Sequence, residues 1–251
     1  MHHFTAALLE HLDLNCFWDF QEKSGEDRVA RGKYDYFLKE MAGPIERIKG
    51  GLFGEYAAHI QLGQWLNLPR IQCPALNFHG QGAEFTMIAW VKREDIAFTG
   101  CQAVAGMWNE SEKKRQYCMF IDLRIWESED QLCGHVSSSG GPTPGYKYCM
   151  TSAIGATKVE KAHWHALAFS YDGTYAKVYI DGVLDERESF NPYYYDAGLY
   201  DGGEGGADFT VAAVHRSGEM GNFFAGAMGG LAVYGKALSD TEIHRISTLP
   251  L

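Results

Sequence analysis

The side chains best suited to binding or catalysis lie in two neighbouring segments near the middle of the chain. Residues 117–126 alternate between apolar side chains and a second set that includes charged and aromatic ones, which is typical of a strand with two different faces. Residues 132–138 alternate in the same way after a polar turn. With that turn centred on residues 128 and 129, Asp122 lies opposite His135 across the pair. This register predicts that five side chains share the non-core face: Asp122, Arg124, Trp126, His135 and Ser137.

This face has groups that suit a sugar site. The indole of Trp126 would stack on a pyranose ring. Arg124 and Asp122 would hydrogen-bond the hydroxyl groups of the sugar or the carboxylate of a uronate. The alternative is a solvated sheet face with cross-strand ion pairs, and the sequence leaves it open. The tryptophan favours the sugar, because a solvated face has no need of one.

Further aromatic residues are predicted near the rim of this face. Tyr146 and Tyr148 follow within residues 139–150, whose Pro and Gly residues exclude regular structure. Trp108 ends an earlier strand, and Tyr194 is the middle of three consecutive tyrosines in a long loop. Tyr146, Tyr148 and the tyrosine run could wall the same groove, and Trp108 could belong to that wall or to the alternative that follows. Alternatively, the tyrosines cover sheet edges or build a contact with another protein.

The sequence lacks one catalytic pattern and holds the parts of another. Retaining glucanases of this fold class place two carboxylates on one strand to flank the scissile bond, and no such run occurs here. A polysaccharide lyase needs only a base and an acid beside a neutralised uronate. If the protein is an enzyme, the residues that would supply these groups are His135, Tyr146, Tyr148 and Arg124.

Histidines outside this face give weaker signals. His163 and His165 have the spacing that places two rings on the same side of a strand, where they could ligate a metal together with a carboxylate. His215 and Arg216 lie near a predicted strand end with no other reactive residue beside them, and we interpret His215 as a satisfied or surface histidine.

The elements that must position these residues are mostly strands. Residues 163–185 hold two strand-like runs, closed by Asp-Gly turns at Asp172 and Asp181, which predicts an antiparallel pair. The run 85–91 has no breaker and predicts a strand buried on both faces. Ser239 and Glu242 predict a capping box that opens a short helix. About a dozen strands with short peripheral helices at the termini predict an all-β, two-sheet antiparallel jelly-roll sandwich.

Four segments, in this order and spacing, resemble the laminin-G-like, concanavalin A-like jelly-roll family. They are residues 17–20 with the Ser24-Gly25 turn, residues 85–91, residues 164–182 and residues 224–243. The resemblance spans most of the chain. It implies a single domain over residues 1–251, with a lead-in segment at 1–14 and a short C-terminal helix at 239–249.

The same resemblance implies carbohydrate binding, in some members together with a structural calcium. Where many members carry an Asp in the closing strand, this chain has Gly229. Since calcium needs several oxygen ligands, we expect no tightly held calcium there and no other cofactor. His165 belongs to a Trp-His pattern that recurs in the family, which argues against a metal at His163 and His165.

Composition excludes several kinds of partner. The net charge is −10, and basic residues cluster only at 113–115, so nucleic acid is not expected as a partner. No apolar run reaches the length of a membrane span, and no signal peptide is seen. The six cysteines lack zinc spacing and predict free thiols. The expectation is a cytoplasmic protein without a membrane partner, or an exported one if the sequence has been trimmed.

The sequence favours an oligosaccharide- or polysaccharide-binding, lectin-like domain without catalysis. One alternative is a polysaccharide lyase or glycoside hydrolase that acts on an acidic glycan. Another is a protein-interaction or structural module that forms homo-oligomers through the Tyr193–Tyr195 loop. The proposed ligand-binding residues are Asp122, Arg124, Trp126, His135, Ser137, Tyr146, Tyr148, Trp108 and Tyr194.

Overall fold

The computed structural model describes residues 3–96 and 100–251. Its two short α-helices are α1 (His3–Leu9) and α2 (Asp240–Ser247). Single turns of 3₁₀ helix lie at Arg70–Gln72, Pro74–Leu76 and Gly203–Gly205. In chain order the strands are β1 (Leu14–Trp18), β2 (Arg28–Val29), β3 (Phe37–Met41), β4 (Glu46–Lys49), β5 (Tyr56–Ile60), β6 (Trp65–Leu68), β7 (Phe85–Arg93), β8 (Gln102–Asn109), β9 (Lys114–Ile121), β10 (Gln131–Val136), β11 (Ser152–Lys158), β12 (Trp164–Tyr171), β13 (Tyr175–Ile180), β14 (Val183–Leu184), β15 (Tyr193–Tyr194), β16 (Phe209–Val211), β17 (Val214–Arg216), β18 (Glu219–Gly221) and β19 (Gly226–Tyr234).

The strands form two sheets that pack face to face. The nine-stranded sheet has the order β14-β13-β12-β7-β19-β5-β4, with β1 on β19 and β15 on β13. The ten-stranded sheet has the order β11-β10-β9-β8-β16-β6-β3-β2, and the β17–β18 hairpin joins it at β8. The parallel bridge from His215 in β17 to Asn109 in β8 is an exception in an otherwise antiparallel arrangement of named strands. The predicted antiparallel jelly-roll sandwich is therefore confirmed.

The hairpin predicted from the Asp-Gly turns is the pair β12 and β13. Phe169 lies opposite Val178 in this pair, and Asp172 accepts hydrogen bonds from the backbone of Thr174 and Tyr175 at 3.0 and 2.6 Å. The second turn begins at Asp181, whose φ is +51°. The two aspartates thus shape turns, as their sequence context predicted.

Both helices cover the outer face of the nine-stranded sheet. Leu8 of α1 and Ile243 and Ile246 of α2 pack with the buried Trp90 and Tyr179. The indole nitrogen of Trp90 donates to the Ser247 carbonyl at 3.0 Å. At the start of α2, Ser239 and Glu242 form the predicted capping box. None of the helices in the described ranges, 3–96 and 100–251, is long and apolar enough to cross a membrane.

The outer face of the ten-stranded sheet carries the residues of the predicted β9–β10 pair. The faces are as expected, since Cys118, Phe120 and Cys133 pack together outside the main core. The register is wrong, however, because His135 lies opposite Cys118. Asp122 instead donates its backbone N–H to Gln131 at 3.1 Å. The predicted pairing of Asp122 with His135 is thereby overturned.

The cause of this shift is the backbone that follows β9. The strand ends at Ile121 and not at residue 126. Five non-glycine residues of the next segment have positive φ angles between +50° and +61°: Asp122, Arg124, Trp126, Glu127 and Asp130. Such angles are unusual for residues with a side chain, and they coil the segment into a loop. Arg124 and Trp126 therefore belong to this loop and not to a strand face.

Candidate functional site

A cleft of about 280 Å³ opens on the outer face of the ten-stranded sheet. Strands β8, β9 and β10 supply Trp108, Phe120 and His135 to its lining. The loop after β9 contributes Arg124, and the irregular segment before β11 contributes Tyr148. The cleft therefore gathers side chains that are distant in the sequence but adjacent in the sheet.

Aromatic contacts form the floor of the cleft. The His135 ring lies 5.2 Å from the Trp108 ring and 5.4 Å from the Phe120 ring, between centroids. Trp108 and Phe120 meet edge to face at 5.8 Å. These side chains project from neighbouring strands onto one face, so the floor follows directly from sheet alternation.

Burial determines the protonation state of His135. Its Nδ1 lies 3.0 Å from the Thr151 carbonyl, which can only accept, so Nδ1 carries the proton in the neutral ring. Desolvation is the main cause that lowers the pKa of His135 to about 4, and the positive charge of Arg115 adds to this effect. At neutral pH His135 is therefore an uncharged member of the aromatic floor.

Two guanidinium groups stand beside this floor. Arg124 is roughly half exposed, and its Nε donates to Asp122 at 3.0 Å. Arg216 of β17 also lines the cleft and donates to the side-chain oxygen of Asn222 at 2.5 Å. Because Asn222 is neutral, this hydrogen bond does not compensate the positive charge of the Arg216 guanidinium. A negatively charged ligand group would be favoured beside it.

One carboxyl group lies among the described residues that line the cleft, and it belongs to Glu110. This carboxylate accepts from the Trp108 indole nitrogen at 3.2 Å and lies 3.8 Å from the Arg115 guanidinium. Glu110 thus holds Trp108 in place and is itself held by a buried cation. Its contacts indicate a structural part in the site.

The structure brings together some of the predicted site residues and separates others. Trp108, Arg124, His135 and Tyr148 all line the cleft. Asp122 is only 2% exposed and does not line the cleft, but its carboxylate accepts a hydrogen bond from Arg124, which does.

Two of the predicted residues lie next to the cleft and do not line it. Trp126 and Tyr146 are exposed and pack edge to face, with ring centroids 6.3 Å apart. They form an aromatic platform beside the opening. The predicted wall is thus present in part, with Tyr148 lining the cleft and Tyr146 outside it.

Ser137 and Tyr194 do not line the cleft. Ser137 is buried, and its hydroxyl accepts from the Gly140 backbone at 3.1 Å. Tyr194 lies on β15 of the other sheet, where its ring meets Tyr175 at 5.5 Å and its hydroxyl bonds Asp196 at 2.7 Å. The alternation suggested Ser137, but β10 ends at Val136, one residue before it. The tyrosine run suggested Tyr194, but such a run does not reveal which sheet it joins.

The tyrosine run itself is mostly turned inward. Tyr193 and Tyr195 are half-buried against the main core, and the Tyr195 hydroxyl lies 2.9 Å from that of Ser138. Tyr194 alone of the three is exposed. Oligomerisation through this loop stays a prediction.

Sequence reasoning missed several residues that line the cleft: Cys101, Glu110, Cys149, Arg216 and Asn222. Arg216 and Asn222 arrive through the β17–β18 hairpin, which joins β8 by a single parallel bridge. Local patterns carry no signal for such a contact. The two cysteines are two of six free thiols, and burial raises the pKa of Cys101 well above its usual range.

No metal-binding group emerges from the described residues: nowhere do three or more His, Cys, Asp or Glu side chains converge as ligands. His165 bonds Asp181 at 2.9 Å, whereas His163 is largely exposed and faces the Lys161 carbonyl. At Gly229 an added Cβ would lie 3.2 Å from the Trp164 ring. The expectation that no calcium is tightly held at Gly229 stays a prediction.

Several solved structures share this fold. The chain is 18% identical to domain 4 of AbnA, a GH43 extracellular arabinanase from Geobacillus stearothermophilus solved in complex with arabinotriose, with a TM-score of 0.61 over 94% of this chain and 98% of that one. It is 15% identical to the CBM40 of the Ruminococcus gnavus IT-sialidase, with a TM-score of 0.53 over 76% of this chain and 96% of that one.

A third similar structure is a larger protein. The Trypanosoma rangeli sialidase is 15% identical, with a TM-score of 0.59 over 96% of this chain but only 33% of its own. Identities this low establish the fold alone. No curated protein sequence matches the chain.

A family model provides the firmer assignment. Residues 68–244, well over half of the chain, match Laminin_G_3, the model described as the concanavalin A-like lectin/glucanases superfamily. The match includes all the strands that build the cleft. The chain therefore belongs to the Laminin_G_3 family of the concanavalin A-like lectin/glucanase superfamily.

Proposed function

We propose that the protein binds an oligosaccharide or polysaccharide in this cleft and performs no chemistry on it. One observation carries the proposal: a single cleft combines aromatic side chains on its floor and wall with side chains that can donate hydrogen bonds to a ligand. Sugar rings present apolar faces that pack on aromatic side chains, and their hydroxyl groups need hydrogen-bond partners at the rim. Tyr148, Arg216 and Asn222 supply both kinds of contact.

The similar structures support a carbohydrate partner without identifying it. An arabinanase domain bound to arabinotriose and the CBM40 of a sialidase share the sandwich. Their low identity does not transfer a ligand to this chain, so the proposal rests on the cleft itself.

The contacts of the titratable groups argue against catalysis. A glycosidase uses two carboxyl groups that flank the bond, and in the described lining Glu110 stands alone and is occupied by Trp108 and Arg115. A histidine whose pKa is about 4 is a weak general base at neutral pH. Its ring is also wedged between two aromatic side chains.

A polysaccharide lyase is the second candidate function, and one observation favours it. His135, Tyr148 and two arginines line the same cleft, which is the set of groups that uronate elimination requires. The hydrogen-bond partner of the His135 ring is, however, a backbone carbonyl and not a tyrosine hydroxyl.

A glycan array followed by product analysis tests both functions. Each glycan that binds is incubated with the protein and assayed for new reducing ends and for the absorbance of unsaturated uronate. We expect binding without product. Product from any bound glycan would establish the lyase or a hydrolase and overturn the non-catalytic proposal, whereas an array with no binding would overturn carbohydrate binding.

A matched pair of variants locates the binding site. Arg124 and Arg31 each form an ion pair with a buried aspartate at 3.0 Å and are 47% and 42% exposed, but Arg31 lies outside the cleft lining. Arg124→Gln should weaken binding by about tenfold, the value of a hydrogen bond from a charged donor. Arg31→Gln should leave binding unchanged. Equal affinities of the two variants would place the sugar elsewhere.

A further inference from the structure

A second depression of about 260 Å³ lies beside the cleft on the outer face of the ten-stranded sheet. Trp108 lines both cavities. The β17–β18 hairpin also borders both, with Arg216 in the cleft and its neighbour His215 in the second depression. The two cavities are therefore neighbours that share one buried indole as their common wall.

Strand alternation places the second depression on the same face as the cleft. Leu66 and Leu68 of β6 belong to the main core, so Asn67 between them points outward. Thr210 of β16 lies directly opposite Asn67 and lines the depression with it. Outward residues thus follow one another from β6 through β16, β8 and β9 to His135 on β10.

The length of this row exceeds the size of one sugar. Adjacent strands lie about 4.8 Å apart, so the four steps from β6 to β10 span about 19 Å. A single monosaccharide fills only one of the two cavities. A ligand that contacts both must be an oligosaccharide chain lying across the strands.

The two ends of the row differ in charge. In the cleft, Arg216 donates to the side chain of Asn222, which is neutral, and the half-exposed Arg124 lines the same cleft. The second depression is lined by the uncharged polar side chains of Asn67, Asn109 and Thr210 and by the carboxylates of Glu112 and Asp208, the latter accepting from the Asn67 amide at 3.2 Å. Its cation, Lys114, is already paired with Glu112.

We propose that the site takes a linear acidic glycan, with a carboxylated sugar at Arg216 and a neutral sugar at Asn67 and Thr210 across Trp108. This inference rests on the proposed carbohydrate binding and adds the class of glycan and a second subsite. The carboxylate would receive charge-assisted hydrogen bonds from Arg216. The neutral sugar would exchange hydrogen bonds with the side-chain amide and hydroxyl groups.

Calorimetric titration with defined oligosaccharides tests the proposal. The probes are free glucuronate, the di-, tetra- and hexasaccharides of hyaluronan, in which glucuronate alternates with N-acetylglucosamine, and cellohexaose as a neutral chain. We expect affinity to rise from glucuronate to the tetrasaccharide and then to level off. The hyaluronan hexasaccharide should bind at least about tenfold more tightly than cellohexaose, and this preference should shrink at high salt.

Two variants separate the subsites. Arg216→Met should weaken glucuronate and every hyaluronan chain by about tenfold or more, whereas Asn67→Ala should weaken only the tetrasaccharide and longer chains, by about threefold. The control is Lys39→Met, which removes a positive charge from an exposed residue opposite Asn67 on β3, outside both cavities. Lys39→Met should bind all probes as the wild type does.

The outcomes distinguish this inference from the proposed function. Binding of glucuronate with no gain for longer chains would overturn the second subsite and leave carbohydrate binding intact. Equal affinity for cellohexaose and the hyaluronan hexasaccharide would overturn the acidic ligand. An equal loss for all chain lengths in Asn67→Ala would also overturn the division into subsites.

Discussion

Asp122, a buried carboxylate, accepts a hydrogen bond from Nε of Arg124 at 3.0 Å and thereby sets the position of one wall of the cleft. The same carboxylate accepts from the backbone of Gly100 at 3.0 Å and of Asp130 at 3.2 Å. It therefore ties both ends of the loop 122–130 to a third segment. A loop with five unusual backbone angles keeps its shape because one buried acceptor serves several donors.

We expect Asp122→Asn to lower the free energy of unfolding by about 1–3 kcal/mol, because an amide satisfies these donors less well than a carboxylate. Glycan affinity should fall as well, since Arg124 loses its partner. Urea unfolding and calorimetric titration measure the two effects. The control is Asp19→Asn, which removes the comparable buried partner of Arg31 and should leave glycan affinity unchanged. Wild-type glycan affinity in Asp122→Asn would refute the positioning by Asp122.

The protein should unfold at the same temperature in calcium and in a chelator. Gly229 supplies no carboxylate, and its neighbour Gly230 faces the Phe53 ring, which an added Cβ would approach to 2.7 Å. An ion that binds the folded protein would raise the free energy of unfolding, and this gain would grow with the logarithm of the ratio of ion concentration to dissociation constant. Thermal unfolding in calcium, magnesium or EDTA measures this. A rise in calcium that magnesium does not reproduce would reveal a calcium site.

Local sequence signals were sufficient for much of the fold. The Asp-Gly turns at Asp172 and Asp181, the capping box at Ser239 and the breaker-free run of β7 each depend on neighbouring residues only. Their order indicates the sandwich because each strand must bury one face. The β9–β10 register was not predictable in the same way, since the positive φ angles after Ile121 occur at residues that normally avoid them.

The candidate site was predictable only where it lies on these regular strands. Alternation placed His135 on the outer face, and a strand end indicated Trp108. Arg216 and Asn222 reach the cleft from a distant hairpin, and no periodicity encodes that contact. Tyr148 and Tyr146 come from one irregular segment, so the sequence did not distinguish the residue that lines the cleft from the one beside it.

Replacement of Tyr148 separates ring stacking from proton transfer. Tyr148→Ala should weaken glycan binding by up to about tenfold, which is the value of an aromatic contact, and Tyr148→Phe should stay within about twofold of the wild type. The control is Tyr194→Ala, which removes an exposed tyrosine of the other sheet and should have no effect. Calorimetric titration gives the three affinities. A Tyr148→Phe variant that binds normally but loses product formation would instead support the lyase.

The stability of the protein should depend on pH through His135. Burial is the main reason that the pKa of His135 is lowered to about 4 in the folded protein, and the positive charge of Arg115 adds to this effect. An unfolded histidine has a pKa near 6.5. Between these values the unfolded chain binds a proton that the folded protein does not. The neutral His135 therefore contributes about 3 kcal/mol to the free energy of unfolding. This contribution is fully present above about pH 6.5 and is lost as the pH falls towards about 4.

Urea unfolding between pH 7 and pH 4.5 isolates this contribution when wild type and His135→Asn are compared. Asparagine keeps a donor for the Thr151 carbonyl that the Nδ1 of His135 now contacts, but it does not titrate. As the pH is lowered through this window, the free energy of unfolding should fall less steeply for His135→Asn than for the wild type. The two slopes should differ by about 1.4 kcal/mol per pH unit. His163→Asn, which removes a histidine that is 70% exposed, is the control and should keep the wild-type slope. If His135→Asn kept that slope too, the buried neutral histidine would not be the source of the pH dependence.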